Sequence, residues 1–224
     1  MFIKTIIVSC VVALSFFMQT KKELKYIAFG DSYTICTGTN SVNEQWPTIL
    51  SKHLNNAGVN VKMVVNPSKN GYSTQNVIDY ELPLLKNNKI DFATLLIGVN
   101  DWVRGVDVKT YHKNLIYIIE EIQKQLSNKQ HLILITIPDF SATPQGALYG
   151  NGRDITKGIA EFNVIIKEEA KKRNLVCVDV FALTQAMKNK PELIASDGLH
   201  PSAKEYALWE ELIFKRALLL LNKK

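Results

Sequence analysis

Short apolar runs alternate along this chain with longer stretches whose apolar residues recur at helical spacing. That alternation constrains the fold more than any other feature. The runs are KYIAFG (25–30), VNVKMVVN (59–66), FATLLIG (92–98), HLILITI (131–137) and LVCVDV (175–180). A strand with one wet face alternates polar and apolar residues, whereas a near-continuous apolar run belongs to a strand covered on both faces. The stretches between predict helices over 46–58, 73–85, 111–126, 155–173 and 203–221. Pro47 stands in the first turn of the first helix and Gly58 just past its end, while Leu115, Ile118, Ile119 and Ile122 share one face of the third. Strands and helices in alternation give a three-layer α/β domain, a parallel sheet with helices on both sides joined by right-handed crossovers.

The 224 residues suit one domain with a real core, and no Pro-rich, Ser-rich or charge-block linker divides them. Formal net charge is +6, from 27 basic and 21 acidic residues. The lysines and arginines are scattered and form no basic stripe interleaved with aromatics, so nothing marks a nucleic-acid binder. The three cysteines, Cys10, Cys36 and Cys177, have neither zinc-ligand spacing nor a disulfide framework, and Cys36 and Cys177 are expected to be free. Residues 1–20 carry Lys4 and then an apolar run from Thr5 to Met18. That run is short for a membrane span and fits a signal peptide or N-terminal anchor, which predicts export to the periplasm or the outside, with membrane association through this segment if it is kept as an anchor. Residues 21–224 form the domain.

In parallel sheets ligands bind beyond the carboxyl ends of the strands. Three such ends carry unusual residues: Gly30-Asp31-Ser32 after the first run, NPSKNGYST (66–74) after the second, and Gly98-Val99-Asn100-Asp101 after the third. A fourth cluster, Asp197-Gly198-Leu199-His200-Pro201, precedes the last helix. Acyl transfer to a serine needs an attacking hydroxyl, an imidazole to take its proton, a carboxylate to hold that imidazole, and donors for the oxyanion. Ser32 can attack, His200 can act as base, and Asp197 lies within one turn of it. Asn100 offers a side-chain amide, and Gly71 and Ser32 offer backbone N–H groups. Pro201 biases His200 towards extended geometry, and Ser202 with Glu205 reads as a capping box opening the last helix.

Each piece alone has a plainer reading. Gly-Asp-Ser occurs in ordinary turns, Asn100 could cap one, Gly71 could be a loop glycine, and Asp197-x-x-His200 could be a surface turn. His53, His112 and His131 have no comparable setting and read as helix-surface or strand-end residues. The joint occurrence of the set at one sheet edge favours chemistry.

The combination of GDSYT, NGYST, GVND and DGLHP resembles the SGNH (GDSL-type) hydrolases. The four residues that name that family match Ser32, Gly71, Asn100 and His200, and Asp197 matches its triad aspartate. The resemblance spans the chain from about residue 25 to the last helix. It implies a flavodoxin-like fold with about five parallel strands. It also implies esterase, lipase or thioesterase chemistry on small-molecule esters, with no metal or cofactor. The wording of the motifs looks most like bacterial lysophospholipase-like or acyl-esterase members. The Gly-x-Ser-x-Gly elbow of α/β-hydrolases is absent.

Substrate choice stays open, with acyl esters, lysophospholipids, thioesters and acetylated sugars all within the class. An acyltransferase of the same fold and a non-catalytic binding protein are the rivals. The long connection PDFSATPQGALYGNGRD (138–154) reads as a lid or binding loop, or equally as a surface insertion. Trp102 and Arg104 follow Asn100 and are expected to line the substrate pocket, although Arg104 suits a structural ion pair as well. Asp31 is expected to bond local backbone, and Cys36 to pack.

Overall fold

Five strands pair in the order β2-β1-β3-β4-β5, every neighbour parallel. They are β1 (Leu24–Gly30), β2 (Val61–Val65), β3 (Phe92–Leu96), β4 (Leu132–Ile135) and β5 (Val176–Val178). The computed structural model describes residues 22–86 and 88–222, so the leader expected at 1–20, with Cys10, lies outside the described residues. The helices are α1 (Trp46–Asn56), α2 (Thr74–Asn76), α3 (Val99–Val103), α4 (Val108–Gln125), α5 (Ile155–Lys172), α6 (Phe181–Gln185) and α7 (Ala203–Leu221). This is the flavodoxin-like strand order expected from the sequence.

Right-handed crossovers sort the helices. The chain steps from β1 to β2 on one side and then returns past β1 to β3. That puts α1 and α7 together on one face and α4 and α5 on the other. Strands β3 and β4 are buried along their whole length and β1 from Tyr26 onward, with Ala28, Phe29, Phe92, Ala93, Leu132 and Ile133 excluded from solvent. Trp46 and Trp209 are fully buried between the sheet and its α1–α7 layer, and truncating either to alanine would cost about 3–5 kcal/mol. Among the described residues, no helix is long and apolar enough to cross a membrane.

Local sequence explains most boundaries. Asp107, Asp154 and Ser202 cap α4, α5 and α7 by accepting the backbone N–H of Thr110, Lys157 and Glu205. Gly58, at φ +82°, closes α1 while Val59 N–H donates to Leu54 O.

Two expectations need correction. The stretch 73–85 is helical but not one α-helix: α2 runs into a π-turn at Val77–Glu81 and a 3-10 turn at Leu82–Leu85. Pro83 lacks the N–H that an α-helix would need there. The capping box at α7 is half formed. Ser202 caps Glu205, but the Glu205 carboxylate turns into the core and accepts from Trp209 Nε1 at 2.8 Å, and Ser202 N–H goes to Leu193 O.

Candidate active site

Strand order reverses between β1 and β3, and doubly wound sheets bind ligands at that switch point. Ser32 follows β1 there and Asn100 follows β3.

Gly30 makes the corner after β1. Its φ is +155°, and a Cβ would sit 2.2 Å from Thr34 Oγ1 and 2.3 Å from Leu96 O. The chain then turns at once, with Thr34 and Ile35 N–H donating to Asp31 O. Asp31 points inward, fully buried, and its Oδ1 accepts Tyr33 N–H at 2.9 Å. Burial pushes its carboxyl up to about 8, with the Asp101 charge adding to the shift. Glu81, unremarkable in the sequence, reaches the same corner and accepts Gly30 N–H at 3.1 Å; burial, then the charge of Asp31, pushes it to about 8 as well. Asp31 Oδ2 and Glu81 Oε1 are buried without a hydrogen-bond partner among the described residues. Ser32 is left facing a cavity of about 220 Å³ that it shares with His200, Asn100 and Gly71.

His200 sits on a closed loop. Ile194 and Pro201 form an antiparallel bridge, and Ala195 N–H donates to His200 O. Within it, His200 Nδ1 lies 2.6 Å from Asp197 Oδ2, and Asp197 Oδ1 accepts the Leu199 and His200 N–H groups. Burial alone would push Asp197 up, but those two N–H groups and the His200 ring outweigh it and hold the carboxyl below its ordinary range. The turn after Ser32 presses on this loop through Gly38, at φ +101°, where a Cβ would meet Ala195 Cβ at 2.5 Å and Pro201 O at 2.9 Å. Tyr33 adds a second wall, its ring 5.7 Å from that of His200 and its carbonyl held by Trp46 Nε1.

Asn100 lies in α3, which starts as soon as Gly98 turns the chain. Its Nδ2 donates to Tyr72 O at 2.9 Å, which leaves one amide hydrogen for the cavity. Neither Ser32 N–H nor Gly71 N–H is taken by a protein acceptor among the described residues. Gly71 adopts φ +78°, a conformation that favours glycine, although a Cβ there would find room.

The rest of the cavity is apolar, with Val99, Val103, Phe140, Tyr149 and Leu199 in its wall. Phe140 and Tyr149 come from the 138–154 connection, which is therefore a built wall and not a loose insertion. Asp139 accepts from Ser141 N–H, Thr156 Oγ1 and Gln185 Nε2, Gln145 N–H donates to Gly198 O, and Arg153 donates to the Trp102 and Val103 carbonyls. Sequence reading singled out the connection but not these two side chains, whose roles depend on where it docks.

Trp102 and Arg104 do not line the cavity. Trp102 is buried, with the Arg153 guanidinium 4.0 Å above its ring and the backbone of Gly158 beneath; a Cβ on Gly158 would meet Trp102 Nε1 at 1.9 Å. Arg104 is exposed and reaches back to Gly71 O and Asn76 Oδ1. Cys36 is buried and free, and burial pushes its thiol well up; Cys177 is free as well. His53 and His112 pair with Glu210 and Glu169 on helix surfaces, and His131 with Asp91 O at a strand start.

A hydroxyl, an imidazole paired with a carboxylate, and uncommitted N–H donors share one cavity at the switch point of a parallel sheet. That arrangement defines the class, an α/β hydrolytic enzyme. The sequence model of the GDSL-like lipase/acylhydrolase family matches residues 28–208, and the chain belongs to that family and is a carboxylic ester hydrolase. It is 27% identical over 160 residues to an arylesterase of Vibrio mimicus, covering 71% of this chain and 72% of the relative. A lipase/acylhydrolase from Enterococcus faecalis superposes with a TM-score of 0.68 at 25% identity, covering 90% of this chain and 98% of that one. The psychrotrophic esterase EstA from Pseudoalteromonas sp. superposes with a TM-score of 0.69 at 20% identity, covering 89% and 100%.

Proposed function

We propose that the protein is an exported serine esterase that works through an acyl-enzyme on Ser32, with an ester of an apolar acyl or aryl group as substrate. The observation that carries the reading is the 2.6 Å pair of His200 Nδ1 with Asp197 Oδ2 on the wall of the cavity that Ser32 also lines. With Nδ1 committed to Asp197, the other ring nitrogen, Nε2, is the one left to accept a proton.

Ser32 Oγ attacks the ester carbonyl carbon as its proton passes to His200 Nε2. The carbonyl π electrons move onto oxygen, and that oxyanion meets the N–H groups of Ser32 and Gly71 and the free amide hydrogen of Asn100. Collapse of the tetrahedral species returns the proton from His200 to the departing alcohol and leaves an ester on Ser32. Water, deprotonated by His200, attacks that ester and restores the serine. Asp197, held below the ordinary carboxylate range, stays ionised throughout and balances the imidazolium. The wall of Val99, Val103, Phe140, Tyr149 and Leu199 supports an apolar group as the part of the substrate that is held. The leader at 1–20 supports export.

The test is hydrolysis of a short-chain aryl ester by wild type and by Ser32→Ala. Loss of at least about three decades in turnover with an unchanged fold is expected. Near-wild-type turnover by folded Ser32→Ala would overturn the reading.

A further inference from the structure

We propose that Arg104 is a positioning residue that locks the two oxyanion-binding segments, the Gly71 corner and the Asn100 helix, into one rigid unit. The proposal rests on the oxyanion role given to Gly71 and Asn100 above.

The two donors belong to different connections, one after β2 and the other after β3. Nothing in the sheet itself fixes the distance between them. Transition-state stabilisation by such donors depends on placement, because they act only when aimed at the oxyanion without rearranging. Something must therefore hold the two connections together.

Helix α3 and its C-cap residue do so with three side chains. Asn100 Nδ2 donates to Tyr72 O at 2.9 Å. Asp101 accepts Thr74 N–H at 2.9 Å and Thr74 Oγ1 at 2.5 Å. Arg104 Nη2 donates to Gly71 O at 2.6 Å, and Nη1 to Asn76 Oδ1 at 3.4 Å. Asn76 Oδ1 in turn accepts Ser73 N–H and Oγ, so it is the hub of the turn that follows Gly71.

Arg104 is the one of the three that touches Gly71 itself. It stands four residues after Asn100, one helical turn on, and its own N–H donates to Asn100 O at 3.1 Å. One residue thus holds the Asn100 backbone from one end and the Gly71 carbonyl from the other. Gly71 adopts a left-handed conformation that glycine enters without steric cost and leaves as readily. A fixed carbonyl removes that freedom. The planar fork of arginine can span Gly71 O and Asn76 Oδ1 together, which the point charge of a lysine cannot.

Arg104 is solvent-exposed, so its replacement removes little packing. It is absent from the cavity wall, so its replacement leaves substrate binding in place. A residue acting through the oxyanion donors then has a distinct signature.

The experiment is a double-mutant cycle of Arg104→Ala and Asn100→Ala, read as kcat and KM on an aryl ester, with urea unfolding of each variant and Ser32→Ala as a control. Arg104→Ala is expected to lower kcat by about tenfold to a hundredfold, the scale of a misplaced catalytic group. KM and the unfolding midpoint should be unchanged, and Arg104→Lys should fall between Arg104→Ala and wild type. In the Asn100→Ala background the Arg104→Ala effect should shrink, since both act on one unit. A raised KM at constant kcat would overturn the proposal by making Arg104 a substrate contact. Additive losses, or a kcat loss matched by a fallen unfolding midpoint, would overturn it as well. An active Ser32→Ala control would instead overturn the esterase mechanism, so the two failures are separable.

Discussion

His200 Nδ1 and Asp197 Oδ2 lie 2.6 Å apart, and the same carboxylate holds the His200 backbone N–H at 2.9 Å through its other oxygen. One side chain thus orients both the ring and the peptide of the proposed base. Replacing Asp197 with Asn should lower the plateau of turnover by up to about four decades, because the amide can hold the imidazole in the wrong tautomer. Steady-state kinetics of Asp197→Asn on an aryl ester check this, and an unchanged plateau would separate Asp197 from the base.

Asn100 lines the cavity with one amide hydrogen left after its bond to Tyr72 O. Asn100→Ala should lower kcat by about two to three decades, the scale of one lost oxyanion donor, with KM little changed. Steady-state kinetics on an aryl ester decide this, and a rise in KM alone would make Asn100 a binding residue.

Much of this site was legible because its residues stand at strand ends, where chemistry and position coincide. Ser32, Gly71 and Asn100 follow strand ends, the Asp197–His200 pair stands just before the last helix, and the structure brings all five to one edge of the sheet. What was illegible depends on side chains meeting across the fold. Glu81 lies in the distorted 73–85 stretch and reaches Gly30 only because β1 passes beneath it. Tyr33 follows Ser32 in the sequence, yet its place against His200 is set by Trp46 and Trp209 from α1 and α7. Trp102 follows Asn100, which suggested a pocket residue, but it turns beneath Arg153 because Gly158 opens room for its indole. Glu205 matches a capping box, and the buried Trp209 indole N–H draws it inward.

The buried carboxyls behind Ser32 give the fold a pH dependence. Asp31 has an ordinary value of 3.8 and rises to about 8 on folding, so over that window the folded state keeps a proton that the unfolded chain has released. Unfolding free energy therefore falls as pH rises from about 4 to about 8, and the contribution is complete only below that window. Asp31→Asn should flatten this slope. Urea midpoints at several pH values between those limits check it, and equal slopes in wild type and variant would show that Asp31 is ionised in the folded protein.

The leader proposed for residues 1–20 makes a cellular prediction. Expressed in a bacterium at full length, the protein should be recovered outside the cytoplasm or with the membrane. Fractionation with N-terminal sequencing tests this; a soluble cytoplasmic protein with Met1 retained would remove the export proposal.

The central claim is that Ser32 is the nucleophile, and a mechanism-based label tests it most directly. An aryl phosphonate ester transfers its phosphonyl group to an activated serine, forming the Ser–O–P bond as the P–O(aryl) bond breaks, releasing the phenol and leaving a stable adduct. Intact mass followed by peptide mapping of the inactivated enzyme should find one adduct per chain, on Ser32, with esterase activity lost in proportion to labelling. Inactivation with the adduct on another residue, or full labelling of Ser32 with activity retained, would contradict the account.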